Sequence, residues 1–264
     1  GIVVAIASLG GFLSVAMSIV GVQWNRFASE ASFRLAISPD GIRVRRGLLS
    51  TRAQTIPPRR IYAIQVQQPF FWRFLGWYRV SILQAGYGAK DTDSNQQQSS
   101  HILIPVGTRQ DVEFALWMVF NDLGVDDVPS FIEAALAGKG SGQGFVQMSP
   151  RARCLDPFAY HRRARAITRT TFVIRDGWLN WKSLWAPIAR LQSVRVQSGP
   201  LERKLGVASL HMDVVPGAFR MIAEHQDASQ AGADIYTLLI EGQANRASEP
   251  PEKWMLRVEN GMHS

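Results

Sequence analysis

Cysteine, acidic residues and, over the first stretch, charge of any kind are scarce in this 264-residue chain. The lone Cys154 excludes an internal disulfide and suits a reducing compartment. Lys and Arg number 29 against 21 Asp and Glu, a net charge of +8 that points to anionic partners. The arrangements that catalysis needs are also missing. His101, His161, His211, His225 and His263 are scattered, with no second His or Cys at metal-ligand spacing. No serine sits in a Gly-x-Ser-x-Gly elbow, and Cys154 has arginines nearby but no nucleophile motif around it. The glycine tract 138–144 lacks the Gly-x4-Gly-Lys-Ser/Thr spacing of a phosphate loop. The sequence therefore points to a non-catalytic protein with no cofactor and no metal.

Residues 2 to 22 hold no charged side chain, and a helix needs about 20 apolar residues to cross a bilayer core. Trp24, Arg26 and Arg34 come next, an interfacial aromatic and then cations. We read residues 1–24 as a transmembrane helix; a buried core helix is the alternative, and a secretory signal lacks its basic start. The chain opens at Gly1 inside this run and reads as a piece of a longer protein. The flanking arginines favour a cytoplasmic location for the residues after the span, at the bacterial plasma membrane. Gly10, Ser14 and Ser18 form a small-residue stripe that could seat a second helix, although small residues are common in spans.

Self-comparison organises the remainder. At a shift of 130 residues, Pro57 matches Pro187, Arg60 matches Arg190, Val66 matches Val196 and Gln67 matches Gln197. Arg73 with Arg203, Leu75 with Leu205 and Gly76 with Gly206 continue the run, and Asp40-Gly41 matches Asp176-Gly177 at a shift of 136. A gapped repeat of this length means two copies of one domain. Apolar and polar residues alternate in 33–37, 64–67, 171–174 and 194–197, the pattern of half-buried strands. Asp-Gly between such runs predicts two hairpins. Each copy ends in a helical pattern, 109–123 and more weakly 228–240. Phe114, Trp117 and Met118 lie off the first helix's main stripe and would suit a neighbour. The glycine tract predicts a flexible linker, residues 91–100 a mobile loop and the tail from 247 poor order.

Residues 188–210, IARLQSVRVQSGPLERKLGVASL, resemble the core signature of bacterial pleckstrin-homology-like membrane proteins, and 57–86 is a more diverged copy. The resemblance covers 30–125 and 160–242. It implies barrels of about seven strands closed by a C-terminal helix, placed between and after pairs of transmembrane helices, with a further copy upstream. Some members are associated with resistance to membrane-active antimicrobial peptides, and the family supplies no catalytic residues. The expected architecture is mainly β with α: a transmembrane helix (1–24), two small β-barrels (29–125 and 159–246), a linker (126–158) and a tail (247–264).

Two features locate expected contacts. Arg151, Arg153, Arg162, Arg163, Arg165, Arg169 and Arg175 face only Asp156 within 151–175. Arg162, Arg163 and Arg165 are expected on a basic surface for anionic lipid headgroups, each cation contributing about 1 kcal/mol; a solvated face is the alternative. Nucleic acid is not expected, since no recognition motif accompanies the charge. Phe70, Trp72 and Phe74 of the first copy stand where the second has Pro200, Glu202 and Lys204. Positions that tolerate Glu and Lys are solvent-accessible in this reading, whereas Phe71/Leu201 and Leu75/Leu205 are core. Phe70, Trp72 and Phe74, with Arg73 at the phosphates, would form an amphipathic wedge at the bilayer. The alternatives are packing within the chain, or a scaffold that binds a membrane-protein partner or a second copy through the 109–123 helix and the Gly10/Ser14/Ser18 stripe. An inositol-phosphate pocket is not supported, because both hairpins present an acid.

Overall fold

A computed structural model describes residues 34–38, 41–46, 52–56, 60–84, 102–120, 122–214 and 220–248. The expected span 1–24, with Gly10, Ser14 and Ser18, the loop 91–100 and the tail beyond 248 lie outside the described residues. Among the described residues, no helix is long and apolar enough to cross a membrane. The chain divides into two units, residues 1–57 and 58–264.

The first unit contains a three-stranded antiparallel meander, β1 (Arg34–Ser38), β2 (Gly41–Arg46) and β3 (Arg52–Ile56), with β2 central. Ser38 pairs with Gly41, so β1 and β2 form an antiparallel pair, with Gly41 in β2 and Asp40 of the predicted turn outside the described residues.

The second unit begins with β4 (Ile61–Pro69), a short helix α1 (Trp72–Leu75), β5 (Tyr78–Gln84), β6 (Ile102–Gly107) and helix α2 (Arg109–Val119). The same order returns as β11 (Ser193–Gln197), α4 (Pro200–Leu205), β12 (Val207–Asp213), β13 (Met221–Asp227) and α5 (Ala228–Ser248). This is the repeat seen in the sequence. Its matched Gly76 and Gly206 end α1 and α4 with φ of 64° and 67°, a left-handed cap that costs glycine little. Between the halves run α3 (Val128–Leu136), β7 (Phe145–Gln147), β8 (Ala164–Ile167), β9 (Thr171–Asp176) and β10 (Asn180–Pro187). The second copy thus has seven strands, β7 to β13, and a closing helix.

Two expectations are overturned. The stretch 126–158 is not a loose linker: it supplies α3, whose Phe131, Ile132, Ala135 and Leu136 are buried, and the edge strand β7. The glycine tract is shaped rather than slack, because a Cβ at Gly138 would collide with the Ala134 carbonyl. Nor do the copies form separate barrels. One seven-stranded sheet runs β6-β5-β4-β10-β9-β8-β7, joining strands of the first copy to strands of the second through an antiparallel β4–β10 pair.

This shared sheet has a core on each face. Leu184 and Ala186 of β10 point one way, with Ala63, Leu83, Phe172 and Ile174, and pack against Leu210 and Met212 of β12, Ala223 of β13 and Leu238 of α5. Trp185, one residue out of phase and fully buried, points the other way, edge-on to Phe131 of α3 at 5.9 Å. Each such buried side chain contributes about 1.5–3 kcal/mol. The core of the second copy therefore includes Ala63 and Leu83 of the first.

The expected basic surface is inside. Arg162, Arg163, Arg165 and Arg175 are all buried. Arg162 donates to the carbonyls of Leu136 (2.7 Å), Gly138 (2.9 Å) and Ala135 (3.2 Å). Arg175 donates to those of Ala134 (2.9 Å), Arg162 (3.0 Å) and Gly140. Arg162 thus caps the C-terminal end of α3, where carbonyls lack helical partners and the dipole favours cations, and Arg175 ties the same helix end to the segments at Gly140 and Arg162. The cost is a crowded pair of cations: burial, then repulsion from Arg175 and Arg73, lowers Arg162 to about 9. Arg163 is the opposite case. Burial would lower it, but Asp176, Glu224 and Asp156, each within 2.9 Å, outweigh that and hold it above its ordinary value. Arg165 pairs with Asp234 and donates to Gln226 at 2.6 Å.

Arg162→Ala should strip three acceptors at once and cost about 3 kcal/mol. Arg162→Lys should recover less than half of that, since an ammonium cannot span the three carbonyls. Chemical denaturation followed by tryptophan fluorescence measures both; an Arg162→Ala chain as stable as the parent would contradict the capping role.

Candidate functional site

The aromatic segment continues directly from β4. Gly76 stops α1 after four residues, so the segment cannot bury a helical stripe. Phe71 is 76% and Phe74 77% exposed, and Phe70, Leu75 and Trp77 are exposed beside them. Phe70 holds Phe71 and Phe74 edge-on, each at 5.5 Å between ring centroids.

Arg73 does not face solvent phosphates as expected. Its Nη2 donates to the backbone carbonyls of Trp178 and Leu179, both at 2.7 Å. The guanidinium also lies over the Trp181 ring at 3.9 Å, and Arg162 lies 4.3 Å from the same ring. Burial lowers the pKa of Arg73. These contacts clamp the β9–β10 hairpin tip of the second copy against α1 of the first.

The tip is itself apolar. Asp176 pairs with Lys182, so the connection is longer than the predicted two-residue turn. Gly177 enters it at φ 95°, where a Cβ would collide with the Asn180 carbonyl. Trp178 is 54% exposed, with Leu179 exposed next to it and exposed Phe158 against the Trp178 ring at 4.7 Å. A surface made of Phe70, Phe71, Phe74, Trp178, Leu179 and Phe158 is therefore assembled from three separate stretches of chain around one arginine. Clustered apolar exposure of this kind marks an interaction surface.

Three positions of the two copies depart from expectation. Phe71 and Leu201, expected in the core, are both exposed, and so is Leu75, whose counterpart Leu205 is partly buried. Trp72 is only half-exposed, edge-on to Trp77 at 6.2 Å, with Arg79 5.6 Å above it. Its counterpart Glu202 is not a solvent residue either. It accepts from the Gly199 N–H and the Ser209 hydroxyl, both at 2.7 Å, and contacts His225 Nδ1 at 2.9 Å. The logic holds for Phe70/Pro200 and Phe74/Lys204, which are exposed in both copies. Sequence reasoning missed Trp178 and Leu179, although two large apolar residues directly after a turn glycine are the available signal.

A smaller apolar cleft of about 70 Å³ lies between α2 and α3, lined by Leu116, Trp117, Phe120, Leu123, Val128 and Ile132. Of the second-face residues of α2, Met118 is buried and Phe114 and Trp117 are exposed.

Arg73→Ala should release the hairpin tip, with amide exchange at 178–181 rising about tenfold for the loss of two charge-assisted bonds; unchanged protection in exchange mass spectrometry would show that the clamp is idle. Glu202 gives a pH dependence. Burial would raise its pKa, but the Gly199, Ser209 and His225 contacts outweigh burial and set it below the ordinary value. Its stabilisation is complete above the ordinary carboxylate value and is lost as pH falls through the lowered one. Glu202→Gln should flatten the acid limb of Tm measured between about pH 3 and pH 7.

A family model described as Bacterial PH domain matches residues 2–115 and 153–234. No curated protein and no solved structure matches the chain. The two matched stretches take in most of each copy of the repeat and cover well over half of the sequence: the chain belongs to the bacterial PH domain family.

Proposed function

We propose that this region is a non-catalytic module that lies on a membrane surface, inserting the aromatic surface around Arg73 into the headgroup–acyl boundary. The observation that carries this reading is the cluster itself. Phe71 and Phe74 are each more than three-quarters exposed, Phe70 is exposed against both rings, and Arg73 from the same short helix bonds to the backbone of exposed Trp178 and Leu179, with exposed Phe158 against Trp178. An interface that covers half of each side chain gains about 1 kcal/mol per residue. An N-terminal span at 1–24 would hold the surface near the bilayer on the cytoplasmic side.

Electrostatics ranks second in this reading. Arg162, Arg163, Arg165 and Arg175 are committed to carbonyls and carboxylates, and Arg73 to the hairpin tip, so they are not offered to lipid phosphates. Attachment of the surface should accordingly survive salt that screens exposed charges. The scaffold reading draws on the α2–α3 cleft, whose exposed Trp117 suits a protein partner.

The test uses the full chain in phosphatidylglycerol-containing vesicles, with Cys154→Ser and a fluorophore on Phe74→Cys or, as a comparison, on exposed Tyr236→Cys. The label at 74 should be quenched at least about threefold more than that at 236 by a bilayer-confined quencher, at low salt and at about 1 M. Equal quenching at the two sites sinks the membrane reading.

A further inference from the structure

The apolar cleft between α2 and α3 has an acidic rim. Trp117 in its lining is 62% exposed, above buried Leu116, Leu123 and Ile132. Asp122 belongs to the lining, and Asp126 and Asp127 follow in the loop that leads into α3, with the Asp126 side chain 94% exposed. Arg169 answers one of these three acids, at 3.1 Å from Asp126. Asp122 and Asp127 accept from the backbone N–H groups of Gly124 and Ser130 and keep their charge. An apolar floor under such a rim suits an apolar segment bracketed by cations.

The end of α5 stands next to this rim. Asn245, in the last turn of the helix, donates to the Arg169 carbonyl at 2.7 Å. The turn 168–170 between β8 and β9 is bonded in its turn to the loop that carries the acids. Thr168 Oγ1 donates to the Leu123 carbonyl at 2.6 Å, and Thr170 Oγ1 to that of Asp122 at 2.7 Å. The approach is close, since a Cβ at Gly124 would meet the Thr170 and Arg169 nitrogens at 2.7 and 2.8 Å. One hairpin turn therefore lies between the end of α5 and the cleft.

After Ser248 the sequence runs Glu-Pro-Pro-Glu-Lys-Trp-Met-Leu-Arg-Val, outside the described residues. Pro250 and Pro251 favour an extended backbone of about 3.1 Å per residue. The steps from Ser248 to Trp254 then reach about 19 Å, enough to pass one hairpin turn. Trp254, Met255 and Leu256 come together there, with Lys253 before them and Arg257 after.

We propose that residues 253–257 of the same chain occupy the α2–α3 cleft, their apolar side chains against Trp117 and their two cations at the aspartates. The chain's own tail is the occupant because it starts one turn away, and a short tether gives it an effective concentration in the millimolar range. A protein partner at this face must displace the tail, which so regulates access to the cleft. The inference stands apart from the membrane reading of the aromatic surface.

Trypsin cleavage after Lys253 and Arg257, each cut followed by mass spectrometry, tests this in the full chain in mild detergent. Cleavage proceeds through the undocked population. Trp117→Ala removes part of the cleft without altering either cleavage site and should speed both cuts about tenfold. Asp126→Asn, at an almost fully exposed side chain, should speed them about twofold. If Trp117→Ala lowers Tm, Asp126→Asn decides alone. Cut rates equal in the parent and the variants overturn the proposal. Protection that rises with chain concentration overturns it in favour of a second copy's tail, and protection that needs added phosphatidylglycerol vesicles overturns it in favour of a membrane.

Discussion

Six residue pairs between β4 and β10, from Asn180 opposite Pro69 to Trp185 opposite Ile64, carry most of what is particular to this molecule. A sheet that ended at β10 would leave its face towards β12 and β13 too narrow. With β4 and β5 attached, Ala63 and Leu83 fill that space and the edge of β10 is paired rather than exposed. The same joint sets α1, at the end of β4, beside the hairpin that begins β10. Arg73 can then reach the Trp178 and Leu179 carbonyls, and the aromatic surface exists only because these two ends meet. Sheet pairing between copies is thus the condition for both the core and the candidate site.

The second constraint is the C-terminal end of α3. A helix ending inside the protein leaves its last carbonyls without partners, and burying them bare costs about 1–3 kcal/mol each. Arg162 meets that need at Ala135, Leu136 and Gly138, while Arg175 adds a second donor to the Ala134 carbonyl, which already accepts from the Gly138 N–H; the cost is two guanidiniums placed close together. Trp181 relieves part of this by offering its ring between Arg162 and Arg73. That indole links the helix cap to the clamp on the hairpin, so stability and the shape of the aromatic surface depend on one side chain.

The repeat is legible because it is a property of order along the chain: strand, short helix, left-handed glycine, strand, strand, helix. Gly76 and Gly206 stand at one backbone turn in both copies, and spacing alone exposes them. What a strand pairs with is not written in its own residues. β4 and β11 look alike in sequence, yet among the described residues one is interior and the other pairs on one side only. The arginines mislead for a related reason. Counted locally, 151–175 has one acid, but the partners of Arg163 and Arg165 include Asp176, Glu224 and Asp234, up to 69 residues away, and those of Arg162 and Arg175 are carbonyls that no charge count registers. The glycine tract fails as a linker because its composition signals freedom whereas Gly138 serves close approach.

The divergence between copies has a physical basis. In the second copy the residue matched to Trp72 is Glu202, which ties α4 to Ser209 and His225 and so holds that short helix by polar contacts. The first copy has Trp72 at that place; α1 is held instead by Arg73 on the far hairpin and by the Trp72–Trp77 contact. An internally tied helix can present Pro200, Leu201 and Lys204 to water with a mixed character. A helix tied to a neighbouring hairpin brings that hairpin's Trp178 and Leu179 into its own face and becomes apolar as a whole. The aromatic character of the first copy is therefore coupled to the joint between copies: cut the β4–β10 pairing and the residues that form the surface would no longer share one side of the molecule.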